Sequence, residues 1–460
     1  MSELPEGWAA ATLNELLGAG GLFSDGDWVE SKDQDPDGSN RLLQLADIGD
    51  GFFVNKSSRF VNDEKFSSLN CTEIKEGDVL IARMPDPLGR ACLMPAMPQR
   101  CLTVVDVAVF RVGETGISNK WLMHFLNSSP VRREIELNSS GTTRKRISRG
   151  KLGEIVLPIP PIAEQARIAA KLDELLAQVD TLKARIDGIP ALLKRFRQSV
   201  LAAAVSGRLT DEWRSTHGVG SNWDRTALDS VCRAAFDGPF GSKLKSDDYT
   251  SEGVRVVRLE NIGHLNFIAE KNTFISLEKF KELSKNKLAP GDILFSSFVD
   301  EEIRVCQLPE SGEVFINKAD CFCLRIDKTA ASPVFVMYAL AARRTYRQIR
   351  EAVHGATRPR INLGFLKSFE ISLPSLEEQT EIVRRVEQLF AFADQLEARL
   401  KAAQARIDRL TQSILAKAFR GELVPQDPND EPASVLLERI KAQRAAAPKA
   451  KRGRRAAALS

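Results

Sequence analysis

The sequence predicts a mixed α/β, β-rich module that occurs twice, each copy followed by a long coiled-coil helix. Three observations carry this. Apolar residues step by four and three through Ile168, Leu172, Leu175, Val179, Leu182, Ile186, Ile189, Leu193, Phe196 and Val200. The same steps recur further along at one fixed offset, through Ile382, Val386, Leu389, Ala393, Leu396, Leu400, Ala403, Ile407, Leu410 and Ile414. Such a seam needs an apolar partner along its length, and the other copy is the nearest one. Finally, short apolar runs bounded by glycines and aspartates fill the stretches before each helix, as strands and turns do.

Taken in order, the elements fall into two rows at essentially that one offset. Trp8-x4-Leu13 returns as Trp223-x4-Leu228, and Leu42-Leu43-Gln44-Leu45-Ala46-Asp47-Ile48-Gly49 as Val256-Val257-Arg258-Leu259-Glu260-Asn261-Ile262-Gly263. Gly77-Asp78-Val79-Leu80 and Gly291-Asp292-Ile293-Leu294 read as turns feeding strands. Val104–Phe110 and Cys321–Ile326 read as further strands, and one helix per module is placed at Lys120–Leu126 and Val334–Ala342. Gly141-Thr142-Thr143-Arg144-Lys145-Arg146-Ile147 matches Gly355-Ala356-Thr357-Arg358-Pro359-Arg360-Ile361, and Glu164-Gln165 matches Glu378-Gln379. Ser375-Leu376-Glu377-Glu378 has the form of a helix capping box, with Pro160-Pro161 at the matching place. Gly207 and Gly421 follow the last apolar residues as C-terminal glycines. Gly188-Ile189-Pro190 predicts a kink or short break in the first helix. The implied boundaries are a module over 1–161, a helix over 162–206, a linker over 207–221, a module over 222–375, a helix over 376–420, and a disordered tail over 421–460, basic at its end.

At 460 residues the chain exceeds one core. No run approaches eighteen apolar residues, and the first residues form no signal peptide, so a soluble cytoplasmic protein with no membrane partner is expected. Seven cysteines without a C-x-x-C pair argue against a disulfide framework or a zinc site, and Cys321 and Cys323 read as one face of a strand. The net charge of +4 becomes −3 once the seven basic residues from Lys441 onward are set aside. Local clusters must therefore carry any case for nucleic acid.

The strongest cluster is Arg144, Lys145, Arg146, Arg149 and Lys151, preceded by Thr142 and Thr143; its counterpart holds Thr357, Arg358 and Arg360 after a run of helical arginines. Hydroxyls, cations and a glycine turn suit phosphate oxygens and guanine edges. An isolated cluster fits a solvated loop with helix-surface arginines better; recurrence at the same place in both modules tips the balance slightly to binding. Lys243, Lys245, Arg255 and Arg258 form a second group, and Arg83 and Arg90 a third. Catalytic signatures are absent: no G-x-x-x-x-G-K-[ST] loop, no Asn/Asp-Pro-Pro-Tyr/Phe, and four scattered histidines. No cofactor and no metal are expected.

These residues bring the chain close to a known family. Phe236-Asp237-Gly238-Pro239-Phe240-Gly241-Ser242, the Gly-Asp strands, Gly141-Thr142-Thr143 with Arg146-Ile147, and Leu157-Pro158-Ile159-Pro160-Pro161 with Glu164-Gln165 and their echoes resemble the specificity subunit of type I restriction-modification enzymes up to about residue 425. The resemblance implies two target-recognition domains, two conserved helices packed antiparallel and an internal pseudo-twofold axis. Each domain would read one half of a split site on double-stranded DNA, with the helices as spacer. A 32-residue seam at about 1.5 Å per residue spans roughly 48 Å, against about 34 Å for one DNA turn. It further implies two modification (methyltransferase) subunits, which carry S-adenosylmethionine and methylate adenine, and ATP-dependent restriction/translocase subunits, with neither cofactor held by this non-catalytic chain. A coiled-coil structural adaptor with protein-binding modules is the rival reading, and an autonomous nuclease or methyltransferase is disfavoured by the missing motifs.

Overall fold

In the computed structural model, residues 4–141, 144–353 and 359–446 are described. The chain divides into two compact units, Met1–Ile186 with Ala403–Ser460, and Asp187–Ala402. Among the described residues four helices exceed ten residues: α1 (Ile162–Asp187), α2 (Ile189–Val205), α3 (Leu376–Ala418) and α4 (Ala433–Ala446). None is long and apolar enough to cross a membrane.

In the first unit β1 (Ala9–Thr12), β2 (Leu22–Asp25), β3 (Asn40–Leu43), β4 (Phe60–Val61), β5 (Val79–Ala82), β6 (Ala91–Leu93), β7 (Cys101–Thr103), β8 (Val107–Arg111) and β9 (Val156–Ile159) form three sheets, ordered β2-β8-β5-β6, β4-β3-β7 and β1-β9. The second unit repeats the plan with β10 (Asp224–Ala227), β11 (Cys232–Phe236), β12 (Tyr249–Thr250), β13 (Val254–Val257), β14 (Phe274–Ile275), β15 (Ile293–Ser296), β16 (Val305–Gln307), β17 (Phe315–Asn317), β18 (Cys321–Ile326) and β19 (Glu370–Leu373). Its sheets are β11-β18-β15-β16, β12-β14-β13-β17 and β10-β19. The Val-Leu-Ile-Ala run of β5 is apolar on both faces because both are covered. Val79 and Ile81 join the core containing Trp121 and Leu122, while Leu80 and Ala82 join a second core with Ile48 and Cys101. Alternate residues of β15 do the same, Ile293 and Phe295 against Leu294.

The repeated motifs turn out to be structural joints. Gly77 and Gly291 both have φ +83°, a left-handed turn that favours glycine. The aspartate that follows is buried and caps that turn: Asp78 accepts from Lys75 N at 2.8 Å and Arg111 Nε at 2.7 Å, and Asp292 from Ala289 N at 2.7 Å and Arg325 Nε at 2.9 Å. Trp8 Nε1 donates to Glu164 Oε2 at 3.0 Å, and Trp223 Nε1 to Glu378 Oε2 at 3.1 Å. Gln165 Oε1 accepts from Ser118 N at 3.0 Å while its amide donates to Pro160 O; Gln379 does likewise with Ser332 N at 2.7 Å and Pro374 O. These buried bonds fasten the first turn of each long helix to its own module, where an unpaired polar group would cost about 1–3 kcal/mol.

Within each unit a piece of the first-copy helix shares a core with a piece of α3. Ile168, Leu172 and Val179 lie with Ile407, Ile414 and Leu415, and Lys183 Nζ stands 2.9 Å from Asp408. Val200 and Ala204 lie with Ile382 and Val386, with Phe196 and Leu389 packed alongside, and Arg197 reaches Asp394 at 2.5 Å and Glu397 at 3.1 Å.

Two expectations need correction. The seam is not buried throughout: Leu182 is 44% and Leu410 45% exposed, and Leu175, Phe196, Leu389 and Leu396 are half-buried. Leu182 and Leu410 follow the stripe but face solvent, although Val179 on one side and Ile407 and Ile414 on the other are buried in the first unit's core. The stretch 421–460 is not all disordered tail. Ala433, Leu436 and Ile440, spaced three and four apart, are buried in the first unit's core; Ala433 N donates to Gly7 O at 2.8 Å and Arg444 to Asn14 O at 3.0 Å. Lys441 and Arg444 thus belong to α4, while the basic residues from Lys449 lie outside the described residues. The short break expected at Gly188-Ile189-Pro190 is present: it is one residue long and keeps right-handed helical angles, φ −76° and ψ −21°, and the proline two positions later sits in a first turn that needs no N–H donor.

Candidate nucleic-acid interface

The basic segment of the first module is a tight loop on the edge of the β5 framework. Ser140 and Arg146 exchange backbone hydrogen bonds, Ser140 N to Arg146 O at 2.9 Å and Arg146 N to Ser140 O at 2.8 Å, lifting exposed Arg144 and Lys145 at the tip. Thr142 and Thr143 lie outside the described residues. Arg146 NH2 stands 3.0 Å from Asp106 Oδ1, with its side chain 39% exposed. Arg149 donates to Phe23 O at 2.9 Å and lies 3.7 Å from Asp25.

Arg83 is in the same place but does a different job. It is 5% exposed, pairs with Asp25, and donates to Ile147 O at 3.0 Å and Val105 O at 3.1 Å. Burial pushes its pKa down against the opposing pull of Asp25. It ties the end of β5 to the loop and lies too deep to meet a ligand, so its sequence assignment as a contact residue does not fit this geometry. Arg90 and Arg255 are likewise buried and spent internally, Arg90 on Ile48 O and Leu45 O, Arg255 on Glu313 and Ala269 O.

The second module carries the same device. Arg360 ion-pairs with Asp320, and both residues match their counterparts Arg146 and Asp106 at the repeat offset. The loop is held by Val299 N to Pro359 O and Ile361 N to Ser297 O, both 3.0 Å, and the Arg360 guanidinium lies 5.6 Å from the Phe298 ring. Thr357 and Arg358 fall outside the described residues. Asp320 also lines a shallow cleft with Arg258, Glu260 and Lys318. Arg258 sits 5.9 Å and Lys318 5.0 Å from the Tyr249 ring, and Glu260 is 3.4 Å from Arg258. Asp237 receives Asp320 N at 3.0 Å, and burial raises its pKa. Lys243 and Lys245 are exposed. Arg258 thus lines a cleft whose Asp320 pairs with Arg360, far away in the chain. Asp106, Asp320, Lys318 and Tyr249 escaped the sequence reading; the repeat offset that the two aspartates share was the available signal.

A model of the type I restriction modification DNA specificity domain matches residues 5–191 and again 221–403. The chain belongs to the type I restriction-modification specificity subunits. Among curated relatives, this specificity subunit is 38% identical over 333 residues to the EcoBI specificity subunit of Escherichia coli, covering 68% of this chain and 69% of that one. It is 38% identical over 349 residues to the StySPI specificity subunit of Salmonella potsdam, covering 72% and 73%. Its fold matches a chain from a structure of type I R-M complex assembly and conformational transition, with TM-score 0.70 at 20% identity over 92% of this chain and all of that one. The HsdS subunit from Thermoanaerobacter tengcongensis matches with TM-score 0.55, also at 20% identity, over 92% and 98%.

Proposed function

We propose that this specificity subunit is the non-catalytic DNA-recognition subunit of a type I complex, with domains over 1–161 and 222–375 each reading one half of a bipartite duplex site. The observation that carries the reading is the arginine–aspartate pair held at the same framework position in both modules, Arg146 with Asp106 and Arg360 with Asp320. A half-exposed guanidinium oriented by a carboxylate keeps its solvent-facing N–H donors in fixed geometry, as phosphate or guanine recognition needs. Arg144, Lys145, Lys243, Lys245 and Arg258 supply the surrounding positive charge; Thr142, Thr143, Thr357 and Arg358, outside the described residues, are assigned to DNA binding with them.

The helices over 162–206 and 376–420 pair antiparallel, set the gap between half-sites and dock two modification subunits; restriction/translocase subunits join the assembly. The complex methylates adenine and, with those subunits, cleaves DNA in an ATP-dependent manner. The test is co-expression with the modification subunit followed by mapping of methylated adenines in the host genome. A split motif, two specified blocks around an unspecified gap, is expected. An intact, co-purifying complex that adds no methylation would overturn the reading in favour of a coiled-coil adaptor.

A further inference from the structure

Two aromatic rings stand in solvent at matching places of the two modules. Trp28 is 69% exposed and Phe240 52%. Strand register sets the correspondence: Ser24 faces Val109 on β8 and Phe236 faces Cys323 on β18, and these two partners are equivalent positions of the repeat. Two residues further on, Gly26 and Gly238 both lie against backbone. A Cβ would come within 2.1 Å of Val104 O in one and of the Lys318 carbonyl carbon in the other, and Val104 and Lys318 are again equivalent positions. Only glycine passes there. The chain then emerges two residues later at Trp28 and at Phe240.

Both loops are fastened rather than loose. Asp27 accepts from Thr72 N at 2.9 Å, and the Trp28 indole donates to Glu30 at 3.3 Å. Asp237 accepts from Gly238 N at 2.7 Å and Asp320 N at 3.0 Å, and Lys243 N donates to Phe240 O at 3.1 Å. A fixed turn that holds a large ring in water forgoes the burial free energy such rings otherwise contribute. Each ring also adjoins the cationic device. Asp25, three residues before Trp28, pairs with Arg83 and approaches Arg149; Asp237, three before Phe240, bonds Asp320, the partner of Arg360; exposed Lys243 and Lys245 follow directly.

We propose that Trp28 and Phe240 are base-contacting residues, one per half-site, that press an aromatic ring against the base stack of duplex DNA while the neighbouring cations hold phosphate. This rests on the recognition function proposed above. The occupant follows from charge complementarity at Phe240, where exposed Lys243 and Lys245 would oppose a basic partner and a purely apolar one would leave them desolvated; Trp28, whose indole donates to Glu30, is assigned by its equivalence to Phe240 in the repeat.

The test uses the complex of the full chain with its modification subunits and a duplex carrying the mapped methylation site, with a scrambled duplex as reference. Trp28→Ala and Phe240→Ala are each expected to weaken site binding about tenfold, in the range that base–aromatic contacts give. The slope of log affinity against log salt stays unchanged, because a neutral ring releases no counterions, while Arg146→Ala lowers it by about one. Trp28→Phe is expected to restore most of the affinity. Unchanged affinity in both alanine variants, with the wild-type complex still preferring its site, would overturn the inference alone. Loss of co-purification with the modification subunit would overturn it by giving the rings a protein partner. A wild-type complex that prefers neither duplex would overturn the recognition function itself.

Discussion

Two buried glutamates at one position of the repeat show how far the modules have drifted. Glu378 accepts from Trp223 through Oε2 and, through Oε1, from Thr210 at 2.6 Å and from Arg214. Glu164 accepts from Trp8, but among the described residues its buried Oε1 has no hydrogen-bond partner, and burial raises its pKa. The segment after Gly207 supplies Thr210 and Arg214 to the second module; the segment after Gly421 fastens to the first through Arg167 and Asp430 at 2.6 Å instead. The joint is common to both, and its electrostatic filling is not. The recognition faces differ in the same way. A buried arginine, Arg83, braces the first loop where the second has Ser297, whose hydroxyl donates to Asp320 at 2.8 Å.

The largest effect expected from this contrast is on stability. Glu378→Gln takes away the buried carboxylate of Arg214 and leaves it the exposed Asp211 alone, which should cost about 3 kcal/mol, read as a fall in the denaturation midpoint of the full chain. Glu164→Gln keeps an acceptor for Trp8 and removes a charge with one neighbour, so it should change stability by less than about 1 kcal/mol. Equal losses would erase the difference between the two joints. Next comes the seam: Leu172→Ala should cost about 2–5 kcal/mol, and Leu182→Ala less than about 0.5 kcal/mol, by the same measurement. On the recognition face, Arg146→Ala and Arg360→Ala should each weaken DNA binding by the complex about tenfold without lowering the melting temperature; unchanged titrations of both would remove them from the site. A further effect is in pH. Burial pushes Asp27 up from 3.8 to about 6, so the folded state holds its proton more tightly. Its contribution to stability is present below pH 3.8 and is lost as pH rises toward 6, and Asp27→Asn should flatten that slope in urea titrations.

The duplicated plan was legible in the sequence because one constant offset links pieces that need not touch. Arg146 and Arg360 were legible for the same reason. Arg83 was not: its burial depends on Asp25, 58 residues away, and no local pattern reports that pairing. Leu182 and Leu410 follow the heptad as well as Leu172 does, yet periodicity tells which residues share a stripe, not how much of it is covered. Helix α4 was hidden by composition, since Ala433, Leu436 and Ile440 precede an Ala/Lys/Arg run that reads as tail. Trp28 and Phe240 share no motif in the sequence, and only strand register aligns them.

The central claim is that each module reads its own half of the DNA site. The most direct test replaces residues 222–375 with the corresponding segment of the E. coli EcoBI specificity subunit and maps methylated adenines before and after. One specified block is expected to change while the other block and the gap length stay the same. A change in both blocks, or in the block left untouched, would contradict it.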